Sequence, residues 1–225
     1  MSNSADKIKN SDLFDCIPDM LLPLFEGKQY PWEILPDIKG FVGELSANGI
    51  EGFTELEKGI WIGEDVKISP LATILPPAII CDGTEIRTGA FLRGNVFVGK
   101  KCVVGNASEL KNSVLMDGAN VPHYNYVGDS ILGNGAHMGA GSIASNLKSD
   151  KTNITVRGNA EYKTGLRKMG AVLGDFAEIG CGSVLNPGTV VGKRSNVYPL
   201  TSVRGVVPPN CIVKSSDNIV EKEER

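Results

Sequence analysis

The chain has few aromatic residues, no long apolar run and no excess of either charge. Phe, Trp and Tyr make up 6% of its 225 residues, a low supply for a β-sandwich or a doubly wound sheet. No apolar run approaches the length of a membrane span. Lys and Arg number 23 against 26 Asp and Glu, so no global basic field attracts nucleic acid. We therefore predict neither a membrane partner nor a nucleic-acid partner.

Paired cysteines are also missing. The cysteine count of five is odd, the residues are widely spaced and none forms a CxxC pair, which argues against a disulfide framework and a thiolate zinc cluster. The first residues lack a basic segment followed by an apolar one, so no secretory signal is visible. We expect a cytoplasmic protein without a metal ion.

Glycine is abundant, at 27 residues, and the sequence repeats every six residues. One register holds only aliphatic side chains, at Ile62, Ile68, Ile74, Ile80, Ile86, Leu92, Val98, Val104, Leu110 and Met116. Small residues follow four positions later, and the period returns at Leu173, Ile179, Leu185, Val191, Val197 and Val203. This pattern predicts a parallel β-helix in which three hexapeptides form each triangular coil, and most of these aliphatic positions are predicted to be core.

The pattern resembles the hexapeptide-repeat acyltransferase superfamily, and this resemblance implies an all-β fold, the left-handed parallel β-helix. We assign the helix to residues 59–213, with an inserted basic loop at 146–168 that breaks the period. The pattern of residues 1–58 predicts short helices and loops that cap one end of the β-helix or pack on its side. Residues 214–225 form a charged tail.

Two stacked cations suggest an anion site. Arg93 and Lys111 each follow an inward aliphatic residue and lie 18 residues apart, so they occupy one corner of adjacent coils. Like charges at one strand spacing repel, and a bound phosphate would offset that cost. Alternatively both side chains extend into water, and Glu109 neutralises part of their charge.

A break in the register draws attention to a histidine. After Met116 the next inward position would be Pro122, but the pattern re-enters at Tyr126, a shift of four residues. This shift predicts a bulge that holds His123 outside the core, where an imidazole can act as a general base. The alternative is an isolated structural histidine. The sequence has only two histidines, and no other ligand cluster indicates a metal.

A longer ordered motif indicates a narrower family. The segment HYNYVGDSILGNGAHMGAGSIASN, from His123 to Asn146, resembles the acetyltransferase domain of the bacterial bifunctional N-acetylglucosamine-1-phosphate uridylyltransferase/glucosamine-1-phosphate acetyltransferase. That family builds each site between the subunits of a homotrimer, so the resemblance implies a homotrimer here. Residues 1–58 contain no Gly-rich phosphate loop, so we predict no pyrophosphorylase activity and a separate nucleotidyltransferase as a partner.

The resemblance also implies site residues. The base that deprotonates the sugar amine is His123, oriented by Glu109, and the backbone N–H of Ala140 stabilises the thioester oxyanion. The acceptor is bound by Arg93, Lys111, Tyr126, Asn146 and His137, the last standing where the family has Asn. The coenzyme contacts are Lys148 and Lys151 of the basic loop, and Cys181, which stands where the family has Ser.

The predicted function is therefore N-acetyl transfer from acetyl-CoA to an amino sugar 1-phosphate such as glucosamine 1-phosphate, in UDP-N-acetylglucosamine or cell-envelope sugar biosynthesis. One alternative is a regulatory β-helix subunit that binds sugar phosphates or nucleotide sugars without turnover. Another is an acyltransferase that uses a different acyl-CoA and a nucleotide-linked amino sugar.

Overall fold

The six-residue period produces short strands separated by tight corners. The computed structural model describes residues 6–223. Its helices are α1 Asn10–Leu13, α2 Leu22–Phe25 and α3 Ile38–Asn48, with single 3₁₀ turns at Asp19–Leu21 and Pro31–Ile34. In chain order the strands are β1 Thr54–Glu57, β2 Ile60–Ile62, β3 Lys67–Ile68, β4 Thr73–Ile74, β5 Ala78–Ile80, β6 Glu85–Ile86, β7 Phe91–Leu92, β8 Val96–Val98, β9 Val103–Asn106, β10 Glu109–Lys111, β11 Ser113–Leu115, β12 Asn120–His123, β13 Tyr126–Gly128, β14 Ile131–Leu132, β15 His137–Met138, β16 Ile143–Ala144, β17 Thr155–Arg157, β18 Glu161–Lys163, β19 Ala171–Leu173, β20 Glu178–Ile179, β21 Val184–Leu185, β22 Thr189–Val191, β23 Asn196–Val197, β24 Ser202–Val203, β25 Val206–Val207, β26 Cys211–Ser215 and β27 Asn218–Glu221.

These strands form the three faces of a left-handed parallel β-helix, which confirms the predicted fold. The first face runs β1-β2-β5-β8-β11-β14-β19-β22-β25, the second β24-β21-β16-β13-β10-β7-β4, and the third β27-β26-β23-β20-β15-β12-β9-β6-β3. Each coil contributes one strand to every face, so equivalent residues stack about 4.8 Å apart. The predicted aliphatic column lies inside this prism, with Leu92, Val104 and Leu110 fully buried.

The predicted register is wrong after Leu110. Leu115, and not Met116, continues the inward column, since it pairs with Val98, 17 residues earlier. Val127 likewise lies inward and pairs with Leu110, so Tyr126 faces outward. The chain therefore has no four-residue bulge. Instead the corner between the second and first faces is one residue shorter on two successive coils.

The shortened corners contain Asn112 and Asp129. Their φ angles are +47° and +48°, in the left-handed region that Asn and Asp tolerate better than most residues. The error arose because Val114, Leu115 and Met116 are all apolar, so periodicity alone could not decide which of them lies inward. Met116 packs outward, against residues of the N-terminal extension.

The N-terminal extension packs on a side of the helix, not on its end. Outward side chains of the first face, such as Phe97, Ile131 and Val190, are buried in one cluster with Leu13, Ile34, Ile38 and other residues of the extension. Asp15 fixes the extension at the corner between the first and third faces, because its carboxylate accepts from Lys193 at 2.6 Å and from Arg194 at 2.9 Å. These two cations lower the pKa of Asp15.

Two excursions interrupt the coils. Residues between β16 and β19 form the antiparallel hairpin β17–β18, whose Val156 is buried against the first face. Near the carboxyl end, β26 and β27 also pair antiparallel, so residues 214–221 of the predicted tail belong to a hairpin. Between residues 6 and 223, no helix combines the length and apolarity needed to cross a membrane.

Candidate functional site

Three of the predicted site residues stack at one corner between the third and second faces. The N–H of Gly141 donates to the carbonyl oxygen of His123 at 2.9 Å, and the N–H of Gly182 donates to that of Ala140 at 2.8 Å. These bonds place His123, Ala140 and Cys181 on successive coils, one strand spacing apart. We call this column the His123 corner. The insertion separates Ala140 from Cys181 in sequence but not in space.

A buried asparagine holds His123 in place at this corner. His123 ends β12 with an exposed side chain, whereas Asn125 is 2% exposed. The Oδ1 of Asn125 accepts from the His123 N–H at 3.1 Å, and its Nδ2 donates to the carbonyl oxygens of Gly139 at 2.8 Å and Ser142 at 3.2 Å. Asn125 therefore ties the His123 coil to the Ala140 coil. It was not among the predicted site residues, although its polar type in an inward small-residue position was a usable signal.

The Ala140 backbone can serve as a hydrogen-bond donor to a ligand. Ala140 lies in the turn between β15 and β16 and is half-buried. Within residues 6–223 its N–H donates to no acceptor, unlike the neighbouring N–H groups of Gly139 and Gly141. A free N–H one coil from an exposed imidazole can stabilise an oxyanion near a general base.

Glu109 is engaged by Arg93 and not by His123. Its Oε1 accepts from the Arg93 guanidinium at 2.6 Å, and this bond raises the pKa of Arg93. Among the described residues Glu109 makes no hydrogen bond to the His123 imidazole. Arg93 and Lys111 do occupy adjacent coils, as the spacing predicted, because the N–H of Arg93 donates to the carbonyl oxygen of Leu110.

The other predicted acceptor residues converge on a carboxylate that was not predicted. Asp129 is 6% exposed and accepts from Lys111 Nζ at 3.3 Å and from Asn146 Nδ2 at 2.5 Å. Asn146 also donates to the Tyr126 hydroxyl at 3.3 Å. Burial, and then the charges of Glu109 and Asp129, raise the pKa of Tyr126, so this hydroxyl keeps its proton. The Gly-Asp pair within the motif was the signal for Asp129.

The remaining predicted residues lie apart from this cluster. His137 is exposed on the third face, where its strand pairs with Asn120 and Glu178. Lys148 donates to the carbonyl oxygen of Asn153 at 2.8 Å, and the Lys151 side chain forms no ion pair within residues 6–223.

Lys148 lines the cleft beneath the inserted hairpin, with a volume of about 370 Å³. Two arginines that were not predicted, Arg157 and Arg204, also line it, together with Asp150. The cleft is therefore net positive and lies at the same end of the helix as Cys181. No group of three or more His, Cys, Asp or Glu residues suited to a metal ion occurs between residues 6 and 223.

The chain is similar in sequence to known proteins. The family model described as the GMPPB C-terminal domain matches residues 74–222. The bifunctional protein GlmU of Methanococcus vannielii is 32% identical over 197 residues, which is 86% of this chain and 44% of that protein. The bifunctional sugar-1-phosphate nucleotidylyltransferase/acetyltransferase of Sulfurisphaera tokodaii is 30% identical over 75% of this chain and 43% of its own length. The chain thus spans less than half the length of these curated relatives.

A solved structure shares the fold. The UDP-N-acetylglucosamine acyltransferase from Campylobacter jejuni superposes with a TM-score of 0.52 over 73% of this chain and 71% of that chain. Its sequence identity of 17% makes this a likeness of fold alone. The Sulfurisphaera relative and this neighbour carry the names of acyltransferases, and the residues of the His123 corner fall within the range that the family model matches.

Proposed function

Because this chain belongs to the GMPPB C-terminal domain family, we propose that it is an acetyl-CoA-dependent N-acetyltransferase whose acceptor is an amino sugar with a phosphate on C1, such as glucosamine 1-phosphate. The observation that carries the proposal is the His123 corner, which displays an exposed imidazole beside the unbonded N–H of Ala140. A general base and an oxyanion donor one strand apart are what aminolysis of a thioester needs.

The chemistry proceeds by direct transfer. The neutral amine nitrogen of the sugar attacks the thioester carbonyl carbon while His123 takes a proton from that nitrogen. The N–H of Ala140 stabilises the oxyanion of the tetrahedral intermediate. Collapse of that intermediate breaks the carbon–sulfur bond, and coenzyme A leaves as the free thiol after the His123 imidazolium returns the proton to its sulfur. Arg93 and Lys111 hold the C1 phosphate, and Tyr126 and Asn146 contact the sugar.

The experiment that tests this function measures free thiol release from acetyl-CoA by the purified protein. The acceptors are glucosamine 1-phosphate and a nucleoside-diphosphate-linked amino sugar, with N-acetylglucosamine 1-phosphate as the matched control that has no free amine. Thiol release that depends on the amine supports the proposal. Absence of amine-dependent release with every acceptor, from protein shown to be folded, contradicts it.

The basic cleft supports a position for the coenzyme. Lys148 and, from the adjoining loop, Lys151 are proposed to bind its phosphates, and Arg157 and Arg204 add charge to the cleft that Lys148 lines. Replacing Lys148 and Lys151 together with glutamine is expected to raise the KM for acetyl-CoA about tenfold or more, with little change in kcat, because charge-assisted bonds to phosphate are lost. Steady-state kinetics at saturating acceptor measures this. An unchanged KM for acetyl-CoA would refute the role.

We further propose a homotrimer. Three large apolar side chains are exposed along the edge of the helix that holds the His123 corner: Leu71 at 70% on an earlier coil, Tyr124 at 62% and Leu200 at 85%. Their burial between subunits would shield the corner from water and complete the site. Light scattering during size-exclusion chromatography reports the mass, and a monomer that is fully active would contradict a shared site.

One observation favours a second candidate, a non-catalytic subunit that binds sugar phosphates or nucleotide sugars and acts with a separate nucleotidyltransferase. Between residues 6 and 223 the His123 imidazole has no carboxylate partner, since Glu109 is bonded to Arg93. An unoriented imidazole is a weaker base catalyst. Sugar-phosphate binding without thiol release would favour this candidate.

A further inference from the structure

A second basic pocket joins three separate parts of the chain. It lies at the corner between the second and first faces, beside the shortened coils, and has a volume of about 340 Å³. The N-terminal extension contributes Lys39 beside Leu35 and Pro36, the helix contributes Lys111 and Asp129, and the end of the insertion contributes Lys168. Asn112 fixes this junction by donating to the Leu35 carbonyl oxygen at 3.2 Å and to Asp129 at 3.1 Å.

The pocket carries uncompensated positive charge. Asp129 is its one acidic residue and already pairs with Lys111. Lys39 and Lys168 are exposed and form no ion pair within residues 6–223. The nearby Asp37 is bonded to Lys28 at 2.7 Å. Two ammonium groups that line one concave site without an ion-pair partner would be stabilised by a bound phosphate group.

The position of the pocket indicates which phosphate it takes. The corner residues Tyr124 and Asn125 and the strand β13 separate His123 from Asp129, and the three residues of β13 alone span roughly 10 Å. In glucosamine 1-phosphate and other 2-amino sugar 1-phosphates the amine and the phosphate are on adjacent ring carbons. A sugar whose amine lies at His123 therefore places its C1 phosphate over the middle of the second face, near Arg93. The corner pocket lies beyond that phosphate.

We propose that the pocket of Lys39, Lys111 and Lys168 binds the second phosphate of a nucleoside-diphosphate-linked amino sugar. Lys39 and Lys168 are then specificity-determining residues, and the extension is part of the acceptor site. The identity of the acceptor rests on the proposed function, whereas the preference of the pocket for a diphosphate does not.

Binding is tested without turnover. Titration calorimetry at fixed ionic strength compares inorganic pyrophosphate with inorganic phosphate on the native chain, the K39Q/K168Q variant and the K58Q/K163Q variant. The control pair removes the same charge from two exposed lysines that do not line the pocket. We expect pyrophosphate to bind more tightly than phosphate, and K39Q/K168Q to weaken pyrophosphate at least about tenfold, with the control near the native value. Equal affinity for the two anions, or equal loss in the two variants, overturns the proposal.

A kinetic arm separates failure of the pocket from failure of the proposed function. In thiol release, K39Q/K168Q is expected to raise the KM for a nucleoside-diphosphate amino sugar at least about tenfold and to leave the KM for glucosamine 1-phosphate within about twofold. An equal rise for both acceptors overturns the assignment to the second phosphate. If pyrophosphate binds as expected but no acceptor releases thiol, the pocket stands and the transferase proposal fails.

Discussion

Replacing His123 with alanine is expected to lower the kcat of acetyl transfer by about 10²- to 10⁴-fold, the usual contribution of a positioned general base. The side chain is exposed at the end of β12 and makes no hydrogen bond within residues 6–223, so its removal disturbs little of the structure. The backbone N–H of His123, which Asn125 accepts, is retained in the alanine variant. Thermal unfolding should therefore match the native protein.

Added imidazole provides the control for this variant. If His123 acts as a base, free imidazole should restore part of the lost rate, because it can enter the space left by the side chain and accept the amine proton. The KM for acetyl-CoA should stay close to the native value, since His123 does not line the basic cleft. Normal turnover by the alanine variant on every working acceptor would exclude His123 as the base.

The period of the sequence was sufficient for the fold. Each coil repeats one aliphatic and one small inward residue, and this redundancy made the prediction robust to single exceptions. It was insufficient for the register after Leu110, where three apolar residues follow one another and only pairing across coils selects Leu115. Which of these three residues faces inward depends on the strands of the adjacent coils. The sequence pattern alone therefore could not predict that Leu115 is the inward residue.

The site was predicted in part for a similar reason. The motif from His123 to Asn146 contains two of the three residues of the His123 corner, and their stacking follows from the coil length. Lys39 and Lys168 were not predicted, because they are separated from Lys111 by 72 and 57 residues and meet only through packing of the extension and the insertion. The spacing of Arg93 and Glu109 could not decide whether they form an ion pair, because the pair depends on the conformations of both side chains.

Asn125 is expected to be the polar residue whose loss costs the most stability at this corner. Asn125→Ala removes the amide that bonds Gly139, Ser142 and the His123 N–H from a site only 2% exposed. Each lost buried hydrogen bond costs about 1 kcal/mol and the cavity adds more, so we expect a decrease of about 3 kcal/mol in the free energy of unfolding. Urea unfolding measures the loss. Hydrogen exchange should localise it to the coils of β12 and β15, since a solenoid unfolds in neighbouring units.

The matched control is Asn120→Ala, which shortens another asparagine of the same coil, at the start of β12. Asn120 is half-buried and donates one side-chain hydrogen bond, to the Gly118 carbonyl oxygen at 2.6 Å, so the expected cost is below about 1 kcal/mol. Asn125→Ala should also reduce kcat at a temperature where the protein remains folded, because the corner that displays His123 loses its tie to the Ala140 coil. Equal stability loss in the two variants would show that the buried amide does not hold the corner. A large loss of stability with normal kcat would show that the position of His123 is set by the coils alone.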